Sequence, residues 1–134
     1  MMMNDRDYQS LFTEAALEKI FPQEKADQFF EALYGDSDEG AYDIGLAFAG
    51  HTGNQLNFEF HLRQRPGKCL ACNLTYGLPN VLSRHPVIDV KGLVNEINSL
   101  LDGRASCRNW KIGRTREVSR ILHVVPFVIE LETR

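Results

Sequence analysis

Apolar side chains in the first third of the chain recur at helical spacing and then switch to strict alternation. Leu11, Phe12, Ala15, Leu17 and Ile20 predict a short amphipathic helix over 8–20, which Pro22 stops or restarts. Ala26, Phe29, Phe30 and Leu33 form one stripe of a second helix over 23–34, with Gly35 at the position that usually ends a helix. From Tyr42 the period becomes two. Tyr42, Ile44, Leu46 and Phe48 alternate with Asp43, Gly45 and Ala47, which predicts a half-buried strand. After the turn His-Thr-Gly-Asn, Leu56, Phe58, Phe60 and Leu62 alternate with Asn57, Glu59, His61 and Arg63, the clearest strand in the chain.

Beyond the Arg65-Pro66-Gly67 turn, residues 68–76 predict a third strand with Leu70, Cys72, Leu74 and Tyr76 on one face. Gly77 to Pro86 is expected to be a loop. Asp89 is a natural N-cap for a helix whose apolar face is Val90, Leu93, Val94, Ile97, Leu100 and Leu101, closed by Gly103. Gly92 lies early in that helix, where glycine costs stability, and close packing on the sheet is the expected reason. A short fourth strand over 109–113 and a longer fifth over 118–132 follow. Pro126 in the last one predicts an edge position or a bulge. The order α-α-β-β-β-α-β-β implies an α+β fold, a two-layer sandwich with a mainly antiparallel sheet. This order resembles that of secretion-chaperone-like folds, commonly dimers; the likeness is one of topology and carries no function. The second sheet face carries Ala47, Ala49, Ala71, Thr75 and Val128. It is expected either to lie under the N-terminal helices or to pair with a second copy.

Length and composition add one domain with an ordinary core: 134 residues, 43% hydrophobic and 25% charged. No apolar run is long enough to span a bilayer, and the first residues lack the apolar core of a signal peptide, so a cytoplasmic protein with reduced cysteines is expected. Charge changes the picture more. Residues 1–40 hold ten acids and three bases (net −7), while residues 41–134 hold eight acids and twelve bases (net +4). Either the acidic helical segment offsets a basic sheet within one fold, or the basic part meets an anionic partner.

Candidate chemistry begins with Cys69 and Cys72. On a strand, residues three apart point to opposite faces, which can neither chelate a metal nor close a disulfide. No helix follows Cys72, as a thioredoxin-like site would need. Strand packing is therefore the favoured reading and no cofactor is expected. The alternative is a zinc site in which Cys107 and one of His51, His61, His85 or His123 join the pair. His61 is expected to be solvated, His85 to order its loop, and His123 to be a satisfied semi-buried side chain. The second candidate is the basic stretch Arg104, Arg108, Lys111, Arg114, Arg116 and Arg120, interrupted by Glu117 and joined by Trp110. It would suit a phosphate backbone or acidic peptide, but the isoelectric point near 5.8 speaks against a nucleic-acid domain. No nucleotide-binding glycine loop and no triad order is present.

The segments FFEALYGDSDEGAYDI, RPGKCLACNLTYGLPNVLSRHPVIDVKGLVNEI and GRTREVSRILHVVPF are spread over residues 29–127 and hold 64 of the 134 residues. Together they resemble a small bacterial family of uncharacterised proteins whose members are sometimes labelled "pancreas/duodenum homeobox protein". The label conflicts with the residues: a homeodomain is three helices with a basic recognition helix, and the best helix here is apolar with one lysine. The resemblance supplies no activity and no catalytic residues.

With no catalytic signature, the leading expectation is a non-enzymatic protein-interaction module acting as a homodimer, with no membrane partner. Two alternatives remain open. One is a small-ligand or zinc-binding protein using Arg84, His85 and the cysteines. The other is an anion or nucleic-acid binder using 104–120, with Arg114, Arg116 and Arg120 as contacts.

Overall fold

Local start signals, rather than the apolar stripe alone, decide where the helices begin. The computed structural model describes residues 5–35, 42–68, 70 and 78–132. The helix expected over 8–20 is two helices, α1 (Asp5–Leu11) and α2 (Glu14–Ile20). Thr13 makes the break. Its backbone is extended (φ −71°, ψ 161°) and its hydroxyl accepts the Ala16 N–H, the geometry that restarts a helix. Phe12 and Leu17, on either side of the break, are both buried. Helix α3 (Glu24–Tyr34) ends as expected at Gly35, in the left-handed region at φ 81°.

Most of the loop expected over 77–86 is in fact a helix, α4 (Leu78–Arg84). Pro79 lies in its first turn, where a missing N–H has no intrahelical partner to lose. Leu78 and Leu82, four apart, are both buried. Helix α5 (Val90–Leu101) matches its expected span, buries Val90, Leu93, Ile97 and Leu101, and starts at Asp89, whose carboxylate accepts the Gly92 N–H at 3.1 Å. That contact corrects the reason given for Gly92. A side chain there would run into the Asp89 carboxylate, so the glycine serves the cap.

Among the described residues the sheet has five strands: β1 (Tyr42–Thr52), β2 (Gln55–Gln64), β3 (Cys107–Ile112), β4 (Arg116–Ser119) and β5 (Leu122–Leu131). Their order is β1-β2-β5-β3, with β4 also on β5, and every pairing is antiparallel. The fold is thus α+β, as expected, and a five-stranded sheet is incompatible with a homeodomain. Of the third strand expected over 68–76 only Lys68 and Leu70 are described, and at Leu70 the chain is helical rather than extended, which corrects the expectation there; the rest of that segment lies outside the described residues. Leu70 is fully buried and donates its N–H to Gln64 Oε1.

The strand expected over 118–132 is a hairpin, β4 turning at Arg120–Ile121 into β5. Pro126 is not on an edge. It lies in β5, between β2 and the β3–β4 edge, opposite Glu59. The neighbour strand yields instead. Pro126 O accepts the Gly113 N–H at 2.8 Å, so its ring nitrogen faces the same side, at the gap between β3 and β4 where no ladder bond is required.

Among the described residues, helices cover one sheet face and leave the other bare. Buried residues of each of the five helices α1 to α5 join one cluster with Tyr42, Ile44, Leu56, Phe58, Phe60, Leu62, Val125, Phe127, Ile129 and Leu131. Aromatic rings form its spine: Phe12 lies 5.1 Å from Phe58 and 5.2 Å from Phe48, and Phe127 lies 6.0 Å from Phe58 and 5.5 Å from Phe60. The N-terminal helices therefore sit on the same face as α5. The expectation that they might cover the second face is overturned. No described helix is long and apolar enough to cross a membrane.

Candidate functional site

Alternation carries the odd members of β2 to the helix-free face. Cross-strand register then builds rows: Gly45, His61, Val124 and Arg116 in one, Ala47, Glu59 and Pro126 in the next, Asn57, Val128 and Lys111 beyond. Glu59 bridges two rows. One carboxylate oxygen meets His61 Nε2 at 3.1 Å and the other meets Arg116 Nη2 at 3.2 Å. His61 is therefore not simply solvated. Its side chain is 23% exposed and hydrogen-bonded.

The edge of β1 is bordered differently. Arg65 reaches back from the end of β2 to Asp43 (3.0 Å) and to Asp27 on α3 (2.7 Å), with its guanidinium over the Phe30 ring. Beside this clamp a groove of about 560 Å³ runs between α2 and the outer edge of β1. Its floor is Phe12, Leu17, Ile44, Leu46 and Phe48. Glu14 and Glu18 stand on the helix side, and Asp43, His61 and Arg63 on the other. Glu14 and Glu18 share a helix face at four-residue spacing. Gly45 leaves the middle of the edge bare: a side chain built there would meet nothing within 4 Å.

The expected site residues do not converge. Arg84 ends α4, and the ring of His85 packs edge-on against Phe29 at 4.8 Å, on the helical layer. His85 Nδ1 accepts the Val87 N–H at 3.2 Å, which orders the turn into α5. Arg114, Arg116 and Arg120 are exposed along the β3–β4 side, with Arg116 on the helix-free face. Arg108 is turned to Glu130 at 3.5 Å, and Arg104 Nε donates to the Leu101 carbonyl. Cys69 and Cys72 lie outside the described residues. Cys107 is half-buried at the start of β3, and burial pushes its thiol up to about 11. Among the described residues no three His, Cys, Asp or Glu side chains group as metal ligands. His123 is buried, but its Nε2 has no hydrogen-bond partner among the described residues; Glu117 Oε1 stands 4.0 Å away.

Sequence reasoning missed the groove, because its walls come from three segments between Phe12 and Arg63. The one signal available was the uncharged run Ile44 to Phe48 in a strand that alternation alone cannot place at an edge. No family model matches the chain, and neither a curated protein nor a solved structure is similar to it.

Proposed function

We propose that this chain is a non-enzymatic protein-interaction module that pairs with a second copy through the helix-free face of its sheet. The supporting observation is the make-up of that face. Half-buried Ala47, Pro126 and Val128 lie among three acids (Asp43, Glu59, Glu130) and three bases (Arg63, Lys111, Arg116). A two-fold contact sets the same patch against itself, so a balanced, mixed face suits it better than a face of one sign. A nucleic-acid role draws less support, since Arg108 and Arg116 are turned to carboxylates on neighbouring strands. Light scattering coupled to gel filtration tests the proposal. The protein should elute with the mass of a dimer, and Val128→Arg should convert it to a monomer with an unchanged circular dichroism spectrum. A wild-type monomer at the highest soluble concentration, or a dimer indifferent to Val128→Arg, would overturn it.

A further inference from the structure

We propose that the groove between α2 and β1 takes an extended, basic segment of a different protein, which adds to the sheet as a strand beside β1. Four observations support this. First, β1 ends the sheet formed by the described strands. Between Gly45 and Phe48 the backbone groups directed away from β2 meet no other strand among the described residues. Such a row of free donors and acceptors is a template for another chain. Second, the edge is accessible to a flat backbone. Gly45 and Ala47 are small, and the stretch from Asp43 to Phe48 would seat a segment of about six residues at roughly 3.3 Å each.

Third, the groove discriminates between side chains. An added strand points alternate residues at the floor of Phe12, Leu17, Ile44, Leu46 and Phe48. Apolar residues fit there. So does a lysine or arginine whose stem lies along Leu17 while its head reaches Glu14 and Glu18 on the lip. Fourth, the charge speaks against a second copy as the occupant. Edge-to-edge pairing of β1 with its own copy brings α2 of each molecule to the same side of the joined sheet. Glu14 and Glu18 would then face their counterparts, and like charges disfavour that pairing. The first forty residues, at net −7, extend the same bias. The groove borders the face proposed for dimerisation and shares Asp43, Ala47 and Arg63 with it, so the two readings are told apart by variants outside the overlap: Val128→Arg on the face, and Glu14→Lys with Glu18→Lys on the groove.

The probe is a synthetic peptide with threonine at every second position and valine and lysine taking turns between them. Titrated into isotope-labelled protein, it should shift amide signals of residues 43–48 and of α2. A peptide with glutamate in place of lysine should not bind. Glu14→Lys with Glu18→Lys, both on an exposed helix face, should weaken binding about tenfold and leave the oligomeric mass unchanged. The decisive control is the lysine peptide N-methylated at alternate amides in both registers, which keeps the charge and removes one strand edge. Loss of binding in one register supports strand addition. Equal binding of both methylated peptides leaves charge attraction alone and overturns the proposal. So does a shift of the β1 and α2 signals with protein concentration that persists in Val128→Arg in the absence of peptide, because it assigns the groove itself to a second copy.

Discussion

The two edges of the sheet are built in opposite ways. The β3–β4 edge is short in each piece, broken at 113–115 beside Pro126, and studded with Arg108, Lys111, Arg114 and Arg116. Charge, breaks and short strands are the means by which proteins keep an edge from recruiting other chains. The β1 edge runs eleven residues, and its stretch from Ile44 to Ala49 carries no charge. Its one irregularity is the bulge between Phe48 and Gly50, at the far end of the groove. In place of charge it has a wall, α2, held by the ring of Phe12. The protein guards one edge against strand pairing and shapes the other into a groove.

The largest test of this contrast removes the pin. Phe12→Ala takes a buried ring from between Phe48 and Phe58 and should cost about 3 kcal/mol. Trp110→Ala, which removes a half-buried ring from the β3 edge, should cost less, about 2 kcal/mol. Denaturant titration gives both values. Hydrogen exchange gives the sharper comparison: protection should fall first in β1 for the Phe12 variant and in β3 for the Trp110 variant. Loss spread evenly over both edges in either variant would erase the distinction.

Next in size is the clamp beside the groove. Arg65→Ala removes two charge-assisted bonds, leaves Asp27 and Asp43 facing each other without their cation, and should cost about 2 kcal/mol. Arg65→Lys should recover only part, since an ammonium cannot reproduce two directed bonds and stack on Phe30. A cost under about 0.5 kcal/mol would place Arg65 with ordinary surface pairs and detach α3 from the description of this edge.

The break in the guarded edge gives a smaller effect. A Cβ on Gly113 would lie 3.4 Å from Pro126 Cβ and Cγ, an ordinary contact, so Gly113→Ala should be close to neutral. Gly113→Leu should overpack the seam by about 1–2 kcal/mol, and Pro126→Ala should return most of that loss. Additive costs in the double variant would mean that glycine and proline do not meet there.

These contrasts were only partly legible in the chain. The alternation through Leu56, Phe58, Phe60 and Leu62 located β2 almost to the residue, because a strand with one buried face must keep period two. Asp89 and Gly35 marked helix ends for the same kind of local reason. The failures share a different cause. Thr13 reads as a tolerable helix residue until its hydroxyl is seen to accept a backbone N–H. Pro79 reads as loop until it falls in the first turn of α4. Pro126 reads as an edge residue because periodicity cannot show that the neighbouring strand breaks opposite it. The groove was illegible for a stronger reason: whether β1 is central or terminal depends on pairings between distant segments, and strand order is not a local property.

The smallest expected effect lies at the start of the guarded edge and asks how its bases are aimed. Cys107 opens β3 next to Arg108, and a thiol surrounded by cations should ionise early. Burial wins instead and raises it from 9.0 to about 11. The consequence for stability has a definite sign. Below pH 9 the thiol is neutral in both states and its contribution is constant. Between pH 9 and about 11 the unfolded chain ionises while the folded one resists, so stability falls as pH rises. Tyr8, raised by burial and then by Asp7, acts in the same direction, so the signal is the difference between wild type and Cys107→Ala in melting temperature against pH. That difference should be flat at neutral pH and open only on the alkaline side, and mass-mapped alkylation at neutral pH should mark Cys107 slowly. Fast alkylation there, or a pH profile unaffected by Cys107→Ala, would mean that the bases of this edge turn toward the thiol. On the present geometry Arg108 is directed at Glu130 instead, which is what keeps the edge charged toward solvent.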